Sequence, residues 1–288
     1  MASRYLDPKI DLAFKRVFGE HALLLKSFLN AVLPLPDDGL IDSLEYLTPE
    51  QVPELPGLFK NSIVDVKCQD TRGRIFIVEM QMLWSTSFEQ RIVFSASNAY
   101  VKQLRSGQDY ASLKPVYALA LTNQVFDFET ENYHHHYKIV SLQESLRVLK
   151  GLEFVFIELP KFKPKSQTDR RMQVKWLRFL SEVGRNDQAV QDLAEDPEIR
   201  SAMDLVEVGA FTPQELEAYH IHMDKLRIEA TVIKDAKAEG WAEGKAQGKA
   251  EGKAQGIQQV ARNLKAQGLP LAVIAQATGL GVSEIDNL

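Results

Sequence analysis

Apolar residues recur along the chain first at helical and then at strand spacing. Ile10, Ala13, Phe14, Val17 and Phe18 form one stripe behind Asp7-Pro8, a capping side chain followed by a proline suited to a first helical position. A second helix is expected over 21–32, with Leu23, Leu24 and Phe28 inward, and the stretch 33–39, with Pro34, Pro36 and Gly39, stops it. Residues 40–60 read as irregular, marked by Pro49, Pro53 and Pro56. The period then drops towards two. Strands are expected over 61–69 and 74–82, and the turn residues 70–73 between them make a hairpin. A long helix over 87–104 follows, then two continuous apolar runs, 115–121 and 154–159, that read as buried strands. Strands interleaved with a helix, and buried on both sides, predict an α/β fold: a mixed sheet flanked by helices.

Beyond Pro160 the pattern changes. Lys161, Lys163, Lys165, Arg170, Arg171, Lys175 and Arg178 face a single acid, Asp169, within 161–178. Such a basic segment can grip phosphates, with Trp176 and Phe179 packing beneath it, or can be a solvated linker into an amphipathic helix. Helices are expected over 176–236. A four-residue repeat follows, with glycine at 240, 244, 248, 252 and 256. Each glycine disfavours a helix by about 0.8–1 kcal/mol relative to alanine, yet glycine at every fourth position also makes a smooth ridge along which helices of two copies can approach. The reading adopted is a self-associating stalk. The expected organisation is therefore a core over 1–160, a basic and helical region over 161–236, the repeat stalk over 237–257, and a small helix-turn-helix-like unit over 258–288.

Composition narrows the class. The 288 residues carry a formal net charge of −5, which weighs mildly against a nucleic-acid binder except through the local basic segment. The single cysteine, Cys68, permits no internal disulfide, and the charged first fifteen residues lack the apolar core of a signal peptide. No run of 18 apolar residues exists, so no membrane span and a cytoplasmic location are expected.

The candidate chemistry lies where charge interrupts the hairpin strands, at Asp65 between Val64 and Val66 and at Glu79 between Val78 and Met80. A carboxylate is costly to bury unless it is paired or bound to a metal. If residues 71–73 form the loop, paired residue numbers sum to 144 and Asp65 lies opposite Glu79, with Lys67, Ile77 and Gln81 on the same face. Two such carboxylates call for a bridging cation, and oxygen donors suit Mg²⁺ or Mn²⁺. Such a site polarises phosphoryl oxygens and activates water, with Lys67 or Gln81 placed to orient water or phosphate. The competing reading is that both acids form structural hydrogen bonds or an ion pair with Lys67.

At these residues the chain resembles the PD-(D/E)XK nuclease superfamily, and within it the bacterial recombination-promoting nucleases, often labelled transposases. Asp65 matches the superfamily's first acid, and Glu79-Met80-Gln81 stands where Glu-x-Lys is usual. The stretches 11–19, 28–33, 100–103 and 107–110 fit the same family in order and spacing, over about 4–235. The resemblance implies a restriction-endonuclease-like sheet, Mg²⁺-dependent DNA cleavage and a link to recombination or mobile elements. It also implies that Asp11, on an N-terminal helix, joins the metal site and that Arg91, Tyr100 and Gln103 approach it from the helix after the second strand. Gln81 in place of lysine removes a positive charge that Lys67 can replace.

Other clusters lead elsewhere. His134-His135-His136 cannot all face one way and are expected in a surface loop; His220 and His222 are read likewise, and Cys68 as buried bulk. The rival from another class is a catalytically weakened nuclease fold acting as a DNA- or protein-binding module.

Overall fold

The computed structural model describes residues 3–47, 50–51, 62–63, 65–85, 87–144, 146–164, 171–185 and 190–288. They divide into two units, 1–226 and 227–288.

The first unit is a six-stranded mixed sheet between helices. It opens with α1 (Asp11–Phe14), which continues as a π-helical turn over Lys15–Gly19, and with α2 (Ala22–Val32). Asp7 does not cap this helix: its carboxylate accepts from the Lys9 amide (3.0 Å) and ammonium (2.5 Å) inside a preceding turn, and the helix begins at Asp11. In α2 it is Leu24, Leu25, Phe28 and Leu29 that turn inward, whereas Leu23 is 74% exposed. The stretch expected to be irregular holds β1 (Leu44–Tyr46) and β2 (Glu50–Gln51); β2 pairs with β3 (Ser62–Ile63) in a separate ribbon.

The hairpin consists of β4 (Val66–Asp70) and β5 (Ile75–Gln81). Its register matches the expected sum of 144, with Lys67 opposite Ile77 and Val66 opposite Val78. The turn is fastened by Asp70, whose carboxylate accepts from the Arg72 amide (3.0 Å), the Arg74 amide (2.8 Å) and Arg74 Nε (2.7 Å). Gly73 supplies the positive φ of 80° that this turn requires. After α3 (Phe88–Val101), β6 (Val116–Thr122) runs parallel to β5, and β8 (Val148–Glu158) runs parallel to β6. The edge strand is β7 (His134–Val140), antiparallel to β8, giving the order β1-β4-β5-β6-β8-β7. The histidines expected in a loop thus lie in a strand. Backbone pairing with β8, reinforced by bonds from His135 to Glu158 (2.8 Å) and from His136 to Glu153 (2.9 Å), overrides their weak strand pattern.

Side-chain alternation divides the core in two. Val66, Cys68, Phe76, Val78, Leu119, Leu121 and Val155 face α1 and α2 together with α4 (Met172–Glu182) and α5 (Pro197–Leu205). Trp176 and Phe179 are fully buried there, with the Phe18 ring centre 5.5 Å from Trp176. The segment after 160 is therefore continuous with the sheet's core, and the boundary expected at residue 160 falls inside one unit. The other face, Ile75, Ile77, Ala118, Ala120 and Phe156, packs on Phe88, Ile92 and Ala96 of α3.

The glycine repeat lies within α6 (Pro213–Ala266), a 54-residue helix whose Leu216, Met223 and Leu226 pack against the core of the first unit. In the second unit, α7 (Leu271–Thr278) and α8 (Val282–Asp286) fold back so that Ala261, Ile274 and Ile285 form a small core of their own. Among the described residues no helix is long and apolar enough to cross a membrane.

Candidate active site

The α3 face of the hairpin turns polar towards one end. Along β5 the inward row runs Ile75, Ile77, Glu79, Gln81, so burial that suits the first two side chains is imposed on a carboxylate and an amide. Asp65 precedes β4 at a bend, and its Oδ2 accepts from the Met80 amide at 2.6 Å, which holds it across the hairpin from Glu79.

Glu79 is 6% exposed. Its Oε1 accepts from Arg91 Nη2, and its Oε2 is buried with no hydrogen-bond partner among the described residues. The same Arg91 nitrogen donates to Gln81 Oε1 at 2.6 Å, while Gln81 Nε2 donates to the Leu83 carbonyl. Arg91 sits one turn into α3 and its guanidinium also lies over the Phe88 ring, 5.0 Å from the ring centre. Arg91 thus places a fixed positive charge beside the glutamine that stands at the lysine position.

Both acids hold protons tightly. Burial pushes the Asp65 carboxyl up to about 6; the nearby Asp11 charge adds to this, and the Met80 bond with the Lys15 and Arg91 charges opposes it. Burial pushes Glu79 up to about 7, reinforced by Asp65 and opposed by Arg91. Two carboxyls raised together, Asp65 half-buried and Glu79 buried with an oxygen unpaired among the described residues, form a donor set short of positive charge. Asp65 and Glu79 therefore fit an oxygen-loving divalent cation such as Mg²⁺ or Mn²⁺. Among the described residues no group of three or more His, Cys, Asp or Glu gathers as a ligand set.

The other expected site residues fall in different places. Asp11 is half exposed and ion-paired with Lys15 at 2.8 Å, close enough for its charge to reach Asp65. Lys15 itself was missed in the sequence, although its spacing of four from Asp11 is the ordinary signal for a helical ion pair. Lys67 is half-buried on the site's face; burial, then the Lys102 charge, lowers its pKa.

Tyr100 and Gln103 are not at this end of the sheet. Because α3 runs back along the sheet, about 1.5 Å per residue carries Tyr100 over 13 Å from Arg91. The Tyr100 ring lies against Gly151, just before the stretch of β8 that pairs with β6. Gln103 exchanges two 2.9 Å bonds with the backbone of Lys114, just before β6. Both support the opposite end of the sheet.

In the basic segment, Lys161 pairs with Glu158 (2.6 Å) and donates to the Thr130 carbonyl (2.8 Å), and Lys175 pairs with Asp196 (2.6 Å). These two lysines are committed to the fold rather than free for phosphates. Lys163 and Arg171 are exposed, while Lys165 and Arg170 lie outside the described residues.

No curated protein and no solved structure matches the chain. The family described as PD-(D/E)XK nuclease family transposase matches residues 8–236, which takes in the hairpin, α3 and the whole sheet. With a mixed sheet flanked by helices, an acid before one strand and Glu-x-Gln on the next, the chain belongs to the PD-(D/E)XK nuclease family transposases.

Proposed function

We propose that this protein is a metal-dependent DNA endonuclease that hydrolyses phosphodiester bonds in the recombination of mobile elements. The observation that carries the reading is the pair of half-buried Asp65 and buried Glu79, with Glu79 Oε2 unpaired among the described residues and both carboxyls raised. Asp65 and Glu79 would hold Mg²⁺ or Mn²⁺, with Asp11 as an outer contributor. Bound there, the ion would supply Lewis acidity towards a phosphoryl oxygen and a more acidic water. The chain's own residues do the remaining work. The Met80 amide fixes Asp65, Arg91 orients Glu79 and Gln81 and provides the cation missing from the motif, and Lys67 and Gln81 orient water or phosphate. Lys163 and Arg171, with Lys165 and Arg170, contact the DNA backbone, whereas Lys161 and Lys175 brace the segment that carries them. Copies associate through the glycine ridge of α6, which suits cutting both strands, and the protein works in the cytoplasm.

The test is nicking of supercoiled plasmid by purified protein with Mg²⁺ or Mn²⁺, comparing wild type with Asp65→Asn and Glu79→Gln. Metal-dependent nicking by wild type alone is expected. Absence of nicking from all three folded proteins would replace this reading with a DNA- or protein-binding module. The observation favouring that module is the Arg91 ion pair, which already satisfies one Glu79 oxygen.

A further inference from the structure

Between α3 and the outer strands runs an open groove of about 230 Å³, lined by Glu89 and Val93 of α3, Phe126 of the loop after β6, Tyr137 of β7, and Phe154 and Phe156 of β8. Its walls are largely aromatic rings. Ring centres of Phe126 and Phe156 are 5.8 Å apart, as are those of Phe156 and Tyr137, and Trp84 stacks on Phe126 at 4.5 Å. Glu89 and Val93, four residues apart, share one side of the helix, whereas Arg91 reaches Glu79 from another. The groove and the candidate active site are thus served by different sides of α3.

The groove is negative as well as aromatic. Burial raises the Tyr137 hydroxyl above its ordinary pKa, and the charges of Glu89, Asp127 and Glu158 raise it further. The loop that supplies Phe126 carries Asp127, Glu129 and Glu131 and, from 123 to 133, no lysine or arginine. The neighbouring cations are already engaged: Lys161 and His135 pair with Glu158, and Lys138 with Glu153. The Glu89 carboxylate has no ion-pair partner among the described residues. Like charge repels phosphates here, and ring faces beside a carboxylate attract a cation.

The same chain shows which cation suits such a place. Arg4 lies over the Tyr5 ring and pairs with Glu207, Arg16 over Phe211 with Glu215, Arg74 over Phe76 with Asp70, and Arg91 over Phe88 with Glu79. Each time a ring and an acid together hold one guanidinium. The groove offers the rings and the acid without the arginine. We propose that it seats an arginine side chain presented by a protein partner, with the guanidinium against the aromatic walls and bonded to the Glu89 carboxylate. A guanidinium is planar, is more weakly hydrated than an ammonium, and stacks on rings while its fork meets a carboxylate. It is smaller than benzene, which a cavity of ~150 Å³ accepts. This site is independent of whether the protein cuts DNA.

The experiment titrates the full-length chain with the peptide acetyl-Gly-Arg-Gly-amide, followed by calorimetry and ligand-observed NMR. Two further peptides carry lysine or citrulline in place of arginine; citrulline keeps the shape and removes the charge. Wild type should bind the arginine peptide about tenfold or more tightly than the citrulline peptide, with lysine between. Glu89→Gln should weaken binding about tenfold. Val93→Arg, which puts the chain's own guanidinium in the groove, should abolish it. Both positions are exposed, and circular dichroism verifies folding. Glu217→Gln, at an exposed acid of α6 that does not line the groove, should leave binding unchanged. No binding by wild type, equal binding of the lysine or citrulline peptide, no effect of the two groove variants, or an equal loss in Glu217→Gln overturns the proposal. Displacement of the peptide by cytidine overturns it too, and assigns the groove to a nucleobase instead.

Discussion

Glu79 and Glu158 are both buried glutamates near the C-terminal ends of parallel strands, yet their surroundings differ in one respect. Glu158, fully buried, accepts from the Phe126 amide (2.6 Å) and the Asp127 amide (3.2 Å), and pairs with His135 (2.8 Å) and Lys161 (2.6 Å). Those bonds outweigh its burial and hold its carboxyl below the usual range. Glu79 has one cation on one oxygen and, among the described residues, no hydrogen-bond partner on the other, and its carboxyl rises to about 7. A carboxylate that serves the fold is saturated by the fold. One left short of partners at a cost in stability is a candidate for binding something from outside.

The comparison breaks if the two glutamates respond alike to neutralisation. Glu79→Gln should cut metal-dependent nicking about 10³-fold or more while leaving urea stability unchanged or improved. Glu158→Gln should do the reverse. It strands Lys161 and the two amides and costs about 3–5 kcal/mol, with little change in nicking per folded molecule.

The pH dependence sharpens the contrast. A carboxyl raised in the fold stabilises fully below its unfolded pKa, near 4, and that stability is lost as pH rises through the folded value. For Glu79 and Asp65 the loss falls between about pH 4 and 7. In chelator, the wild-type chain should lose up to about 3 kcal/mol from Glu79 over that window, and Glu79→Gln should not. Adding Mn²⁺ at pH 8 should restore stability to wild type only. Glu158 runs oppositely: its contribution is present above its ordinary pKa and is lost as pH falls. Urea melts at pH 5 and 8, with and without metal, separate these cases.

Arg91→Ala should lower nicking by about 10–100-fold, as for a residue that orients a metal ligand, with Arg91→Lys intermediate. Equal activity in all three proteins would mean that Gln81 needs no neighbouring cation. The smallest effect belongs to Gln103→Ala. Loss of its two bonds to Lys114 should cost about 1 kcal/mol and leave nicking unchanged, which a thermal melt beside the plasmid assay would detect.

Much of the candidate site's layout was legible in the sequence because the hairpin is local. Turn residues 70–73 set the register, strand alternation set the face, and charges inside apolar runs marked the acids. What escaped depends on distant partners. The polar strand β7 exists because β8 is there to pair with it, and Lys161 is occupied because Glu158 and the loop carrying Asp127 and Thr130 come to meet it. The family resemblance implies a place at the site for Tyr100 and Gln103, but in this chain the helix carries them to the other end of the sheet. Trp176 read as a support beneath a basic surface because its partners, Phe18 and Phe28, lie about 150 residues earlier.

The residues of the candidate centre, from Asp65 to Arg91, are close in sequence: one hairpin and the helical turn after it. Hairpins close in roughly 1–10 μs and contacts of short sequence separation form early. On the ribosome, acids and arginine can therefore meet before β6, which later pairs beside Glu79 and Gln81, has been synthesised. Because β6 lies beside Glu79 and Gln81, substitutions in it should tune the candidate centre's affinity for a cation without redrawing its geometry.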